Sequence, residues 1–256
     1  MGRRLAEEVQ ALPHSVFKHP WKVWQGHWDD RSSLRLFWKT LVILLLSMAV
    51  PYAIINRIMG TLDWSVMDPI TSIDNAVPFI GWSFWIYLTL YLYYPAAAWF
   101  GRSSDARIRE MFAFHQALFI LTWIIFLIFI FLPTEIYIRD HIPNSIQSGI
   151  GWNGFWYGTM MHTIDTPYNA WPSLHVVQSL LIVLVLRRWN VISGYKEAGV
   201  WIAWILLCLS IMTTKQHFFW DLFTGIIAGL IGWYWMCKPA MDSTTNDEWL
   251  EAFSSE

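Results

Sequence analysis

The sequence predicts an all-α integral membrane protein, a bundle of six transmembrane helices with both termini in the cytoplasm. Three observations lead to this fold class. Hydrophobic residues make up 55% of the 256 residues and charged residues only 14%, whereas a soluble domain carries about 25% charged residues. The hydrophobic residues fall into six windows without a charge. When the chain is threaded through these windows, Lys and Arg collect on one side of the membrane.

The six predicted spans are the charge-free stretches whose length approaches the roughly 20 residues that cross a bilayer. Several are shorter, so the polar residues next to them must lie at the membrane boundary. The predicted spans cover residues 40–56, 75–101, 111–134, 166–186, 198–214 and 222–237. The segment before them is too long and too polar for a signal-peptide leader, so we expect the first span to be retained.

The spans divide the chain into three regions. Residues 1–39 form a cytoplasmic segment, residues 40–238 the six-helix membrane domain that holds the catalytic residues, and residues 239–256 an acidic cytoplasmic tail. In the first region Trp21 and Trp24 are interleaved with basic residues, which is typical of a segment that lies on a membrane surface. A disordered segment is the open alternative.

The distribution of Lys and Arg predicts the orientation. With a cytoplasmic N-terminus, fourteen of the 17 basic residues lie on the inner side, and the three on the outer side are Arg57, Arg139 and Lys215. Membrane proteins keep positive residues on the cytoplasmic side. The connections after the first, third and fifth spans are therefore expected to face the periplasm, the cell exterior or a lumen.

The composition also argues against some classes of protein and site. The net charge is −2, and the basic residues lie between spans instead of forming a patch, so we expect no nucleic-acid partner. The two cysteines, Cys208 and Cys237, lie within apolar runs and indicate neither a disulfide framework nor a metal site. The expected partners are the bilayer and a lipid substrate, and the oligomeric state is not indicated.

Two polar clusters lie at the outer ends of the fourth and sixth spans. In the first, Pro172 and Ser173 suit a helix start and place His175 in the first turn. In the second, His217 and Asp221 are four residues apart and share one helix face. In a chain of this composition a Pro-Ser-x-His string is expected about 0.02 times and a His-x-x-x-Asp string about 0.3 times. Ionisable residues at a membrane boundary are functional candidates.

The two motifs, in this order and at the outer ends of two spans, resemble those of the type 2 phosphatidic acid phosphatase superfamily of membrane lipid phosphatases and phosphotransferases. The resemblance covers the three C-terminal spans and extends to the rest only through topology. It implies that Ser173 and His175 match the middle motif of the family, and that His217 and Asp221 match the last. The Pro-Ser-Leu-His spelling is similar to that of inositol phosphorylceramide synthases.

The sequence departs from the family pattern in two places. The first family motif is a Lys seven positions before an Arg-Pro pair, but if Arg139 is that arginine, Leu132 occupies the Lys position and Asp140 replaces the proline. The family also has an arginine six residues before His217, where this chain has Ile211. We therefore expect other residues to help neutralise the phosphate. The expected phosphate-binding residues are Ser173, Lys215 and Arg139.

The proposed roles rest on the chemistry of phosphoesters. A phosphate dianion resists attack until its charge is neutralised, which positive donors and a helix N-terminus can do. His217 can attack phosphorus while Asp221 fixes its tautomer, and His175 can protonate the departing oxygen and then activate water or an alcohol. This mechanism needs no metal or other cofactor. It predicts hydrolysis of a lipid phosphate or diphosphate, with transfer of a phospho-headgroup to a lipid or an alcohol as the alternative.

Other interpretations of these residues stay open. His175 and His217 at equal depth could be the axial ligands of a haem, could join Asp221 in a zinc site, or could belong to a transporter binding site. His217 and Asp221 could also be only a polar pair that holds two helices together. Ser173 could be only a helix cap, and Lys215 only an anchor at the membrane interface.

The long outer connection of residues 135–171 is rich in glycine and aromatic residues. Long loops are more often functional or disordered than structural. A lid that admits or excludes water is one interpretation of this loop, and the sequence alone does not indicate its role.

Overall fold

The structure is a computed structural model that describes residues 17, 19–31, 33–62, 67–149, 151–157, 167–168 and 170–254. Within these ranges every regular element is a helix. The strand-like pairings found there are isolated bridges, one between Met67 and Thr134 and one between Glu135 and Tyr168. The prediction of an all-α protein is confirmed.

Five long helices form the framework and are numbered here in chain order. They are α1 (Leu34–Met59), α2 (Asp105–Phe131), α3 (Leu174–Arg188), α4 (Tyr195–Thr213) and α5 (Phe219–Gly232). Among the described residues, α1, α2 and α4 are long and apolar enough to cross a membrane. These three coincide with the first, third and fifth predicted spans. A six-span topology and cytoplasmic termini stay predictions.

Shorter helical turns connect or extend the five long helices. Two of them, Trp233–Cys237 and Lys238–Asp242, continue α5 without a break, the first of them in wider π turns. The others are Lys22–Gln25, Trp28–Asp30, Ser72–Ala76, Gly81–Ser83, Phe84–Tyr87, Leu90–Tyr93, Ala96–Phe100, Gly101–Ser103, Tyr137–His141, Asn144–Gln147, Gly151–Gly154, Ser243–Thr245 and Asp247–Ala252.

The second predicted span, residues 75–101, is not one regular α-helix. Its main part is a succession of short helical pieces, which we call the segmented helix (residues 84–103). The pieces are joined by tighter turns, in one of which the Thr89 N–H donates to the Ile86 carbonyl at 3.0 Å. The Thr89 hydroxyl donates to the same carbonyl at 2.6 Å, and Pro95 has no N–H to continue the regular pattern. Local hydrogen bonds therefore interrupt a run that the hydropathy pattern presents as continuous.

Two glycines of α5 allow it to lie directly against α3. A Cβ atom at Gly225 would lie 3.1 Å from the carbonyl oxygen of Ser173, and one at Gly229 would lie 2.9 Å from Cδ2 of Leu180. Small residues four apart permit such a close approach of helix backbones. The contact brings the N-termini of the two helices together, where the Ser173 N–H donates to the Asp221 carbonyl at 3.2 Å.

At the other end of α3, the N-terminal segment and the C-terminal tail pack together on α2. Trp24 is 1% exposed and stacks on Phe112, with ring centroids 4.8 Å apart. The Trp249 Nε1–H donates to the Phe17 carbonyl at 3.1 Å. Trp24 is therefore buried against α2, which offers it an aromatic partner, whereas the alternation of tryptophan and basic residues predicted a segment lying on the membrane surface. Residues 1–16 of this segment lie outside the described residues.

Candidate active site

Four polar side chains from three parts of the fold form a hydrogen-bonded row. The Tyr87 hydroxyl lies 3.4 Å from Nε2 of His175, and Nδ1 of His175 lies 2.8 Å from Nε2 of His217. Nδ1 of His217 lies 3.3 Å from Oδ2 of Asp221. The structure thus brings together the three residues that the motifs predicted to be catalytic, and adds Tyr87.

The carboxylate of Asp221, at one end of the row, determines which nitrogen atoms donate hydrogen bonds along it. An ionised Asp221 carboxylate can only accept, so Nδ1 of a neutral His217 carries the hydrogen and its Nε2 presents a lone pair. Nδ1 of His175 then donates to that lone pair, and Nε2 of His175 accepts from the Tyr87 hydroxyl. In this tautomer His217 has the free-base nitrogen that a nucleophile needs.

The end of α4 positions His217 within the row. The Lys215 N–H donates to the Met212 carbonyl and the Gln216 N–H to the Ile211 carbonyl, both at 3.0 Å, which is the pattern of a Schellman cap. Lys215 has φ 56° in this cap, the left-handed conformation that usually selects glycine. The chain turns sharply there, so His217 follows α4 directly.

Asp221 caps the next helix as well as contacting His217. Its Oδ2 atom accepts the Phe218 N–H at 3.0 Å, which satisfies one of the free amides at the start of α5. Asp221 is buried, and its Oδ1 atom has no hydrogen-bond partner among the described residues. The polar-pair interpretation of His217 and Asp221 is therefore compatible with this geometry, although it does not account for the contact with His175.

A second buried carboxylate, that of Asp74, supports the same turn. Its Oδ1 atom accepts the Phe219 N–H at 2.6 Å, and its Oδ2 atom accepts the backbone N–H and the hydroxyl of Thr71, both at 2.7 Å. Asp74, which lies in the connection between the first two predicted spans, was not singled out from the sequence. The Thr71-x-x-Asp74 capping-box pattern was the available signal.

Lys215 is held by backbone carbonyls. Its Nζ atom donates to the carbonyls of Asp74 at 3.0 Å and Val77 at 2.6 Å, and its side chain is 2% exposed. Burial lowers the pKa of Lys215 from its ordinary value, an effect that the Asp74 charge partly offsets. Lys215 could bind phosphate, as predicted, only if these two hydrogen bonds broke. The alternative prediction, that Lys215 is an anchor at the membrane interface, does not fit a side chain that is buried.

Ser173 and Arg139 are each tied to the chain next to one of the two histidines. Ser173 is the residue before α3, but its hydroxyl makes no capping bond, is buried and has no hydrogen-bond partner among the described residues. It is therefore available to a ligand. Arg139 donates from Nη2 to Oε1 of Gln216 at 2.7 Å, which ties its guanidinium to the residue next to His217.

The described part of the outer loop covers this turn. The Tyr157 hydroxyl donates to the Thr214 carbonyl, and Nε2 of Gln147 donates to the Arg139 carbonyl at 3.1 Å. Burial raises the pKa of Tyr157, which keeps its hydroxyl protonated as a donor. Residues 150, 158–166 and 169 lie outside the described residues, and the lid interpretation of the loop stays open.

An apolar cavity of about 700 Å³ begins at His175 and runs between α1, the segmented helix, α2 and α3. We call it the apolar groove. Its walls are mainly aliphatic and aromatic, and the polar residues among them include Thr122 and Gln178. The hydropathy pattern gave no indication of this groove, since it arises from four elements that are distant in the sequence.

Comparison with known proteins bears directly on this site. The sequence model of the PAP2 superfamily matches residues 62–235, more than half of the chain, and this range includes the whole hydrogen-bonded row. Neither the curated proteins nor the solved structures gave a significant match. Members of the superfamily are phosphatases and phosphotransferases. The match confirms the resemblance that the two motifs carry, and the chain belongs to the PAP2 superfamily.

Proposed function

We propose that the protein is a membrane lipid phosphatase that hydrolyses a lipid phosphate or diphosphate through a phosphohistidine at His217. Its membership of the PAP2 superfamily supports phosphatase or phosphotransferase chemistry in general. The observation that carries the specific proposal is the row in which His175 contacts His217 and His217 contacts Asp221. Two histidines in contact, one of them oriented by a carboxylate, provide both a nucleophile and a proton donor.

Two steps complete the proposed reaction. In the first, Nε2 of His217 forms a bond to phosphorus, the bond between phosphorus and the lipid oxygen breaks, and His175 gives its proton to that oxygen. In the second, His175 takes a proton from water, the water oxygen bonds to phosphorus, and the bond to His217 breaks. Asp221 stabilises the positive charge on His217 during both steps. No step uses a metal ion.

We propose Ser173 and Arg139 as the protein's contacts with the phosphate. The Ser173 hydroxyl is buried and makes no hydrogen bond within the described residues, and the start of α3 adds the positive end of a helix dipole. Arg139 supplies a full positive charge. We leave Lys215 out of this set because its ammonium group already donates to two carbonyls.

The enzyme assay uses purified full-length protein, a lipid monophosphate and water. We expect release of inorganic phosphate that EDTA leaves unchanged, that vanadate inhibits and that added inositol barely alters. The variant His217→Gln should release none. Negligible phosphate release, with a new headgroup-bearing lipid only when an alcohol or second lipid is supplied, would establish the transferase instead. Loss of activity in EDTA would favour the zinc interpretation, and a Soret band the haem interpretation.

We also propose that the site faces the non-cytoplasmic side, because fourteen of the 17 basic residues fall on the opposite side of the predicted spans. The exposed Ser145 in the outer loop suits a test, since the two native cysteines are buried. In intact cells an impermeant thiol reagent should label Ser145→Cys and leave the unmodified protein unlabelled. Labelling that requires lysis would reverse the topology.

A further inference from the structure

We infer that a second cavity, between the N-terminal segment, α1 and α2, binds the hydroxyl end of a neutral lipid alcohol. The cavity has a volume of about 190 Å³, and we call it the His115 cavity after one of its wall residues. It shares Leu44 and Met48 with the apolar groove, but its described wall includes no member of the hydrogen-bonded row. The inference therefore does not rest on the proposed function.

Two side chains of the wall bury nitrogen atoms without a hydrogen-bond partner. His115 of α2 and Trp24 of the N-terminal segment are each 1% exposed. Both ring nitrogens of His115 and the Nε1–H of Trp24 make no hydrogen bond to any described residue. The backbone of Met111, one turn earlier, lies near the His115 ring without reaching hydrogen-bond geometry. Buried polar groups without a partner are rare and cost free energy, so these nitrogens indicate a ligand that hydrogen-bonds to them.

The two rings are close enough for one hydroxyl group to serve both. Their centroids are 6.2 Å apart, a separation that one oxygen atom bridges with N···O distances of about 2.9 Å. Because the described wall holds no acidic side chain to pair with a charged imidazole, His115 is neutral and presents one acceptor nitrogen. The indole N–H of Trp24 can only donate. A hydroxyl accepts from Trp24 while it donates to His115, whereas a carbonyl only accepts and an ammonium group only donates.

The rest of the His115 cavity is suited to hydrocarbon. Its wall is completed by Ser47 and by apolar side chains, among them Ile43 and Phe119. One water takes up about 30 Å³ and needs two to four polar partners, whereas an apolar cavity of about 150 Å³ in another protein binds benzene. A volume of about 190 Å³ is therefore too large for one water. The ligand that fits is a hydroxyl group on an apolar body.

The position of the His115 cavity favours a neutral lipid as the source of this hydroxyl. Val23 of the wall is 39% exposed, so the cavity is not sealed from the surface. His115 lies four residues inside the third predicted span, which begins at residue 111, or about 6 Å below its boundary at the α-helical rise. A charged headgroup stays in water, because burying its charge is unfavourable. A lipid alcohol carries no charge, and its hydroxyl can enter to this depth.

The wall that the N-terminal segment provides is held in place without His115. The Trp21 N–H donates to Oε1 of Gln116 at 2.9 Å, and Nε2 of Gln116 donates to the His19 carbonyl at 3.3 Å. Gln116, the next residue of α2, thus has a partner for each end of its amide. The unpaired nitrogens of His115 are therefore not a general feature of this contact, and the cavity is formed before a ligand binds.

Photo-cross-linking to purified full-length protein in a lipid bilayer tests the inference. The probe is hexadecanol with a diazirine beside the carbon that bears the hydroxyl, and its control is hexadecane with the diazirine at the same end. We expect the alcohol probe to label residues 21–24, 43–48 or 115–119, and unlabelled hexadecanol to compete about tenfold better than hexadecane. Equal labelling by the two probes would overturn the inference, because the cavity would then hold hydrocarbon without recognising a hydroxyl. Absence of labelling there by the alcohol would also overturn it.

Two pairs of variants locate the site. His115→Phe keeps an aromatic ring but removes the acceptor, so labelling by the alcohol should fall about threefold to tenfold, the effect of one hydrogen bond. His27→Phe changes a histidine of the N-terminal segment outside the wall and should have no effect.

The second pair does not depend on the histidine. Ile43→Trp should fill the His115 cavity and abolish labelling, whereas Leu46→Trp, at an exposed position of α1 outside the wall, should not. Labelling that neither His115→Phe nor Ile43→Trp reduces would overturn the inference. So would an equal loss in each variant and its control.

Discussion

The Nδ1 atom of His175 lies 2.8 Å from the Nε2 atom of His217. A phosphorus atom must approach the attacking nitrogen to about 3–3.5 Å before reaction. The new bond uses the lone pair on Nε2 of His217, and in this structure Nδ1 of His175 donates a hydrogen bond to that lone pair. Phosphate binding therefore has to separate the two rings. Once displaced, His175 remains beside the phosphate, where it can donate its proton to the departing oxygen.

His175→Ala should lower the rate by roughly 10² to 10⁴, the usual contribution of a positioned proton donor. The loss should be smaller for an aryl phosphate, whose leaving group needs little protonation. The unmodified enzyme should show a bell-shaped pH profile of kcat/KM, because His217 must be neutral and His175 protonated. The His175→Ala variant should no longer show the decrease of kcat/KM at high pH. An equal loss on alkyl and aryl phosphates would show that His175 binds phosphate instead.

Asp221→Asn should reduce kcat by up to about 10⁴, the cost of the equivalent change in a Ser-His-Asp triad. An amide that turns its NH₂ group toward His217 favours the wrong tautomer, whereas the carboxylate accepts from Nδ1 at 3.3 Å. The same Oδ2 atom also accepts the Phe218 N–H at 3.0 Å, so this orientation of the amide loses the helix cap as well, and we expect the melting temperature to fall. Steady-state kinetics and a melting curve on the same preparation separate the two effects. Normal kcat with a lowered melting temperature would indicate a purely structural carboxylate.

Tyr87→Phe should lower kcat/KM by about threefold to tenfold, which corresponds to one hydrogen bond of about 0.5–1.5 kcal/mol. The hydroxyl contacts Nε2 of His175 at 3.4 Å, and the edge-to-face ring contact with His175 remains in the variant. The high-pH side of the profile should move, because the hydroxyl acts on the proton donor. Tyr91→Phe, another tyrosine of the groove, is the control. A Tyr87→Phe profile identical to that of the control would remove Tyr87 from the row.

Gly225→Ala should reduce activity by about tenfold, because small misplacements of reacting groups are costly. The added Cβ would lie 3.1 Å from both the Ser173 carbonyl oxygen and Cβ of Val176, so α5 has to move away from α3. Gly199→Ala in α4 meets no atom within 4 Å and should leave activity normal. Activity assays on both variants measure this difference. Equal activities would show that the glycine contact does not align the histidines.

The sequence predicted the parts of the fold that depend on long, uninterrupted patterns. α2 and α4 follow charge-free runs, and the start of α3 follows from Pro172 and Ser173. The segmented helix was not predicted, since its interruptions come from a threonine hydroxyl and a proline inside an apolar run. A hydropathy pattern records only how apolar a stretch of residues is, so it does not show where side chains compete for the backbone hydrogen bonds of a helix.

The sequence predicted the residues of the candidate site that lie in the two motifs, and it missed those that carry no motif or whose partners are backbone groups. The two motifs led to His175, His217 and Asp221, which the structure places in one row. The environment of Lys215 could not be predicted, because its partners are carbonyls of a connection far away in the chain. Tyr87 carries no motif and is one of 10 tyrosines, so only the fold distinguishes it.

The most direct test of the central claim is to trap the covalent intermediate. Purified protein is mixed with a lipid phosphate labelled with ³²P, quenched rapidly in alkali, digested and mapped by mass spectrometry. We predict an acid-labile, alkali-stable phosphate on His217, absent from His217→Gln but still formed by His141→Gln, in which an exposed histidine of the outer loop is changed. Near-normal turnover by His217→Gln, or a stable label on any other residue, would contradict the proposed mechanism.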